Sequence, residues 1–271
     1  MDNRPVGVFD SGLGGLTAAR KIRSILPSED IIYFGDTSRV PYGGRSREIL
    51  LKYARQDVRF LRSFDIKAIV VACGTVSTTC LPQLQAENDL PVLGVVEPAC
   101  RRAVAVSKTR HVGLIATAAS VRSGTYEQII HALDPDVTVT ARACPLFVPL
   151  VENGRYERGD VVIETVAREY LEPIRGSGID TLILGCTHYP IIAGIIRDIM
   201  GSAVTLIDTG AEAAREAERM LDRLGLKNDS AKPGRCSFYV SDRVQGFAAL
   251  GSLFLGREID GEVLHVDVDT L

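Results

Sequence analysis

The sequence has only four histidines, and its six cysteines include no Cys-x-x-Cys pair. Without that spacing neither a disulfide oxidoreductase nor a zinc knuckle is indicated, and the thiols are expected to be reduced. Basic residues are not concentrated anywhere. The 31 lysines and arginines are dispersed among 34 acidic residues, and a net charge of −3 argues against a nucleic-acid surface. No uninterrupted apolar run approaches the ~18 residues that a membrane span needs. Met1-Asp2-Asn3-Arg4-Pro5 leads straight into a strand-like segment, with no basic region followed by the apolar core of a secretory signal. A cytoplasmic protein with no membrane partner is expected.

What is present is apolar and periodic. At 271 residues and 46% hydrophobic content, the chain can build about two cores. Strand-like runs are expected at residues 6–9, 31–34, 68–72, 92–96, 112–116, 137–141, 181–184, 205–207 and 237–240. Helical patterns fill the gaps, most clearly at 16–26, 46–62, 98–107, 160–175, 191–200 and 211–224. Such alternation is the mark of βαβ units and a mainly parallel sheet, and residues 227–234 read as a polar loop.

One stretch has a partial copy of itself. Thr181-Leu182-Ile183-Leu184-Gly185-Cys186-Thr187 echoes Ala68-Ile69-Val70-Val71-Ala72-Cys73-Gly74-Thr75. Both are apolar runs suited to a strand buried on two faces, and both end in a cysteine. Arg4-Pro5-Val6-Gly7-Val8-Phe9 likewise matches Arg110-His111-Val112-Gly113-Leu114-Ile115, and Val95-Val96-Glu97-Pro98 resembles Leu206-Ile207-Asp208-Thr209. Three matches in the same order at similar spacing point to a duplication. The expected fold is two similar, doubly wound α/β domains related by a pseudo-twofold axis, with a site between them. Ligands of open α/β sheets bind beyond the carboxyl ends of strands, where both cysteines fall. A buried cysteine that merely fills space is the plain alternative for one of them, but two at matching positions are harder to explain that way.

Other loops add candidates. Asp10-Ser11-Gly12-Leu13-Gly14-Gly15 links the first strand to a helix, but position 17 is threonine, so the third glycine of a dinucleotide fingerprint is missing. Asp10 is a helix-capping carboxylate or a site carboxylate. Gly35 to Gly44, with Pro41, Tyr42 and Gly43, is a turn whose backbone amides can approach a ligand carboxylate, although turn chemistry alone also explains it. His188 lies two residues after Cys186, and an imidazolium beside a thiol favours thiolate. Glu152 could orient or charge that histidine. A cysteine nucleophile needs one thiol and leaves the duplicate unexplained. Two opposed thiols suit proton transfer on both faces of one carbon, which is stereoinversion.

Taken together, these residues resemble the cofactor-independent glutamate racemases of the aspartate/glutamate racemase superfamily. The resemblance rests on residues 10–15, on 33–37 with 40–43, on Cys73 with Thr75, on Gly113 to Thr117, on Pro149 to Glu152, and on Gly185-Cys186-Thr187-His188-Tyr189-Pro190. It covers essentially the whole chain. It implies interconversion of L- and D-glutamate, without cofactor or metal, to provide D-glutamate for peptidoglycan. Cys73 would take the α-proton from D-glutamate and Cys186 from L-glutamate. Asp10 would assist Cys73, and His188 with Glu152 would assist Cys186. Asp10, Ser11, Tyr42, Gly43, Gly74, Thr75, Thr117, Thr187 and His188 would hold the substrate. The family fold implies a first domain of residues 1–97 plus 209–271 and a second of 98–208, and a homodimer is expected.

Two departures stand out. The family usually has asparagine where this chain has Gly74, and Ser120 replaces a threonine. At Gly74 either a water fills the space of the missing amide, so that Gly74→Asn would be tolerated, or the substrate carboxylate approaches the backbone more closely and an asparagine would collide with it; the water-filled arrangement is the expectation. The alternatives to glutamate racemization are racemization of another acidic amino acid by the same thiols, or an inactive relative that binds a protein such as gyrase.

Overall fold

The central strands, such as Ile31–Gly35, Ala68–Val71 and Thr181–Gly185, are buried on both faces because helices cover both sides of each sheet. A computed structural model describes residues 2–242, 244, 247–259 and 262–271; Met1, at the head of the expected first domain, lies outside them. The chain opens with β1 (Val6–Asp10), α1 (Leu16–Ile25), β2 (Ile31–Gly35), α2 (Arg47–Leu61), β3 (Ala68–Val71), α3 (Gly74–Thr79), α4 (Leu81–Glu87), β4 (Val92–Gly94) and α5 (Val96–Val106). A second series follows: β5 (His111–Ala116), α6 (Ala118–Ser123), α7 (Thr125–Leu133), β6 (Thr138–Ala143), α8 (Phe147–Glu152), α9 (Val161–Arg175), β7 (Thr181–Gly185), α10 (Ala193–Met200) and β8 (Thr205–Asp208). The chain then adds α11 (Thr209–Leu224), β9 (Cys236–Val240), α12 (Phe247–Leu255) and β10 (Val263–His265).

The strands form two parallel sheets, ordered β10-β9-β2-β1-β3-β4 and β6-β5-β7-β8. The series β2-β1-β3-β4 is repeated as β6-β5-β7-β8, and two of the three matches read in the sequence fall on equivalent strands, β1 with β5 and β3 with β7; the third does not, since Val95 and Val96 open α5 whereas Leu206 and Ile207 lie within β8. In each sheet the strand order reverses direction between the first strand of the series and the third, opening a crevice at their carboxyl ends. Cys73 follows β3 and Cys186 follows β7, so each thiol stands at such a crevice.

The two layers share a core. One buried cluster runs from Val6, Leu16 and Ile22 through Ala214 and Leu221 of α11 to Leu182 and Ile196 of the second sheet layer. Asp208 starts α11 by accepting from the N–H groups of Gly210 at 2.9 Å and Ala211 at 3.2 Å, and Gly225 ends it at φ +67°. Away from the cysteine ends, buried Lys67 precedes β3 and pairs with Glu29 at 2.5 Å.

Boundaries differ from expectation where local signals compete. The strand expected through Val96 stops at Gly94, and helix α5 starts at Val96 with Pro98 in its first turn, where no intrahelical N–H is required. The helix expected from Ile191 begins as a 3₁₀ turn over Tyr189–Ile192. The six-residue helices α3, α6 and α8 have no counterpart among the expected helices, being too short to show a period.

Candidate active site

The end of β3 turns directly into α3, so Cys73 sits at a helix start with 4% exposure. Its Sγ donates to Ser11 Oγ at 3.6 Å. Burial, together with the charge of Asp10, pushes the Cys73 thiol up to about 12. Asp10 closes β1 and is fully buried; its Oδ2 accepts from Gly15 N at 2.9 Å and Gly12 N at 3.2 Å. Its Oδ1 has no hydrogen-bond partner among the described residues. Burial raises the Asp10 carboxyl, opposed by the charge of His188 and by those backbone N–H groups.

Across the site, Cys186 follows β7 and is 6% exposed, with Sγ 3.9 Å from His188 Nδ1. The other ring nitrogen, Nε2, meets Glu152 Oε1 at 2.9 Å, so Glu152 from α8 orients the imidazole. Burial lowers the tendency of His188 to hold a proton, but Cys186 and Glu152 outweigh it and raise the imidazole to about 10. The ring also packs edge-on against Phe254 of α12, centroids 5.1 Å apart. Gly14 permits this packing, because a Cβ there would collide with Thr187 Oγ1 and His188 Nδ1.

Hydroxyls bridge the two series. Thr75 Oγ1 lies 3.0 Å from Thr117 Oγ1, which lies 3.0 Å from Ser120 Oγ. A Cβ on Gly43 would come to 3.0 Å from Thr117 Cβ, so a larger residue there would push Thr117 back by a few tenths of an ångström. Gly74 is tighter still: a Cβ there would stand 2.6 Å from the Gly185 carbonyl oxygen. The expectation that Gly74→Asn would be tolerated therefore fails, since the added Cβ would meet backbone at the end of β7.

Every residue expected in the site except Asp10 lines one cavity of about 530 Å³; Asp10 lies behind its wall. Tyr42 lines it too, but its hydroxyl bonds to Asp36 and approaches Asp57 at 3.3 Å, which leaves its backbone to face a ligand. The sequence reading missed Cys144, Pro145 and Val148, which line the same cavity. Cys144 follows β6 as Cys73 follows β3, but β6 was read as ending at Ala141 rather than Ala143. Burial pushes the Cys144 thiol up to about 12. Among the described residues no lysine lines the cavity, and no group of three or more His, Cys, Asp or Glu could hold a metal ion.

Comparison with known proteins bears on this geometry. A glutamate racemase of Geobacter metallireducens is 43% identical over 269 residues, spanning 99% of this chain and 98% of that protein. The structure of a glutamate racemase isoform from Bacillus anthracis superposes with a TM-score of 0.94 at 37% identity, covering 98% of both chains. That of a glutamate racemase from Francisella tularensis, in complex with D-glutamate, gives 0.91 at 39% identity over 100% of both. Fold and site together define an α/β racemase. The model of the Asp/Glu/Hydantoin racemase family matches residues 20–217. The chain belongs to that family.

Proposed function

We propose that this enzyme interconverts L- and D-glutamate by two-thiol proton transfer. The observation that carries the reading is that Cys73 and Cys186, from two different sheets, line one cavity. Its relatives are glutamate racemases, and one of them is known in complex with D-glutamate.

In the L-to-D direction, Cys186 as thiolate removes the α-proton, and the resulting carbanion takes a proton from the Cys73 thiol on its other face. The product is D-glutamate, with Cys186 now a thiol and Cys73 a thiolate. The reverse reaction runs these transfers backward. A Cys73 thiol held up to about 12 supports its role as the resting acid for L-glutamate. His188, raised to about 10, presents an imidazolium to Cys186 at neutral pH, and Glu152 holds it in place. Asp10 acts on Cys73 through its charge. The hydroxyls of Ser11, Thr75, Thr117 and Thr187, with the backbone of Tyr42, Gly43 and Gly74, surround the α-amino and carboxylate groups.

The reading includes a cytoplasmic homodimer that provides D-glutamate for peptidoglycan. It also divides the chain into residues 1–97 with 209–271, and residues 98–208. Sheet membership supports the division, and the packing of α5 on β7 and β8 supports a boundary close to residue 97. No helix among the described residues is long and apolar enough to cross a membrane.

Polarimetry with each enantiomer of glutamate, aspartate and glutamine, and no added cofactor, tests the reading. Both glutamate enantiomers should decay to zero rotation. Turnover of aspartate alone would move the assignment to another acid. Loss of activity after hydroxylamine treatment, restored by pyridoxal phosphate, would rule out the thiol mechanism.

A further inference from the structure

Behind the turn at Tyr42–Gly44 lies a cluster that the proton transfer does not use. Asp36, which follows β2, and Asp57, on α2, have fully buried side chains. One guanidinium stands between them: Arg39 Nε donates to Asp36 Oδ2 at 2.6 Å, and Nη2 to Asp57 Oδ1 at 3.1 Å. Its Nη1 donates to Gln56 Oε1 at 2.6 Å, and the group lies 4.2 Å over the Tyr53 ring. Two buried carboxylates against one cation leave a negative charge uncompensated, which burial penalises unless one carboxyl keeps a proton.

The donors decide which carboxyl that is. Asp36 Oδ2 accepts from Arg39 and from the Tyr42 hydroxyl, while Oδ1 accepts from Ser241 Oγ at 2.7 Å. Ser241 Oγ itself accepts from Ser38 N at 2.9 Å and Ser38 Oγ at 3.0 Å, so its own proton points to Asp36. Asp36 thus meets only donors and is an acceptor at both oxygens. Asp57 differs. Its Oδ1 accepts from Arg39, but its Oδ2 faces the Tyr42 oxygen at 3.3 Å. Since the Tyr42 proton goes to Asp36, a proton on Asp57 Oδ2 completes the set by donating to Tyr42.

We propose that the Asp36–Asp57 pair shares a single proton, held on Asp57 Oδ2, and that through Tyr42 it positions the turn lining the substrate cavity. The proposal rests on reading that cavity as the glutamate site. It makes Asp57 and Asp36 positioning residues that set substrate affinity, because none of their described bonds reaches Cys73 or Cys186. The ionisable groups facing Asp57 are Asp36, Arg39 and Tyr42, with Asp10 of β1 acting by charge. Burial first, then the charge of Asp36, raises the Asp57 carboxyl well above its ordinary 3.8, in the direction the bonding pattern requires.

The test is an asymmetry between two isosteric variants. Asp57→Asn keeps an acceptor for Arg39 and a donor for Tyr42, so KM for L-glutamate should stay within about twofold of wild type. Asp36→Asn turns an NH₂ group towards donors and should raise KM about tenfold, with a smaller fall in kcat. Melting supplies a second readout. With a folded value raised above the unfolded one, the stabilisation is full below the unfolded value and is lost as pH rises towards the folded one. From about pH 4 upward, wild type should therefore lose Tm relative to Asp57→Asn. Equal KM for the two variants, the reverse asymmetry, or a Tm difference independent of pH would overturn the proposal. If Asp36→Asn does not fold, Tyr42→Phe replaces it; KM should rise severalfold, and an unchanged KM would overturn the proposal. Wild type inactive on both glutamate enantiomers would defeat the glutamate reading alone, and the melting comparison would still decide where the proton is held.

Discussion

At the scale of single residues, the proposed proton transfer requires two thiols in opposite protonation states. Cys73→Ser and Cys186→Ser should each cut racemization by about 10² or more, the range lost with a positioned acid or base. In deuterium oxide, early product should carry deuterium at the α-carbon while remaining substrate stays largely unlabelled; equal early labelling would indicate one base. Gly74→Asn now has a definite sign. Because its Cβ would stand 2.6 Å from the Gly185 carbonyl oxygen, the substitution should destabilise the protein by about 1–3 kcal/mol and raise KM. Unchanged stability in urea titration, with a lower KM, would mean that the strand ends can part without cost.

Among elements, β3 and β7 are equivalent in sheet position, but their surroundings differ. Cys73 has a hydroxyl and a buried carboxylate nearby, whereas Cys186 faces an imidazole anchored on α8 and flanked by α12. Helix α11 does a different task, carrying the chain from the second sheet back across α1 and α5. Its cap, Asp208, can be tested apart from the site. Asp208→Ala should cost about 1 kcal/mol of stability, with racemization at moderate temperature unaffected. A loss of activity at full foldedness would mean that α11 also tunes the cleft.

For the whole molecule, the raised proton affinity of His188 couples stability to pH. Its folded value of about 10 exceeds its ordinary 6.5, so the stabilisation it contributes is full below about pH 6.5 and is lost as pH rises through about 10. Wild-type Tm should fall across that window relative to His188→Gln, and L-glutamate turnover should fall with it; a parallel Tm profile for the two would refute the imidazolium. Much of the architecture was legible beforehand. Runs such as Ala68 to Val71 and Thr181 to Leu184 have no polar alternation and are short and rich in β-branched residues, which suits strands covered on both faces, and strand ends are where sheets of this kind bind ligands. The sheet class, the repeat, and the placing of Cys73 and Cys186 at equivalent strand ends therefore follow from the order of residues along the chain. Packing set the rest: that Cys144 shares the cavity, that the Tyr42 hydroxyl serves Asp36 and Asp57, that Ser241 completes that cluster, and that Gly74 lies against Gly185. Each joins residues far apart in the chain, and such contacts are set by how layers pack, which a local pattern of apolar and polar residues does not encode.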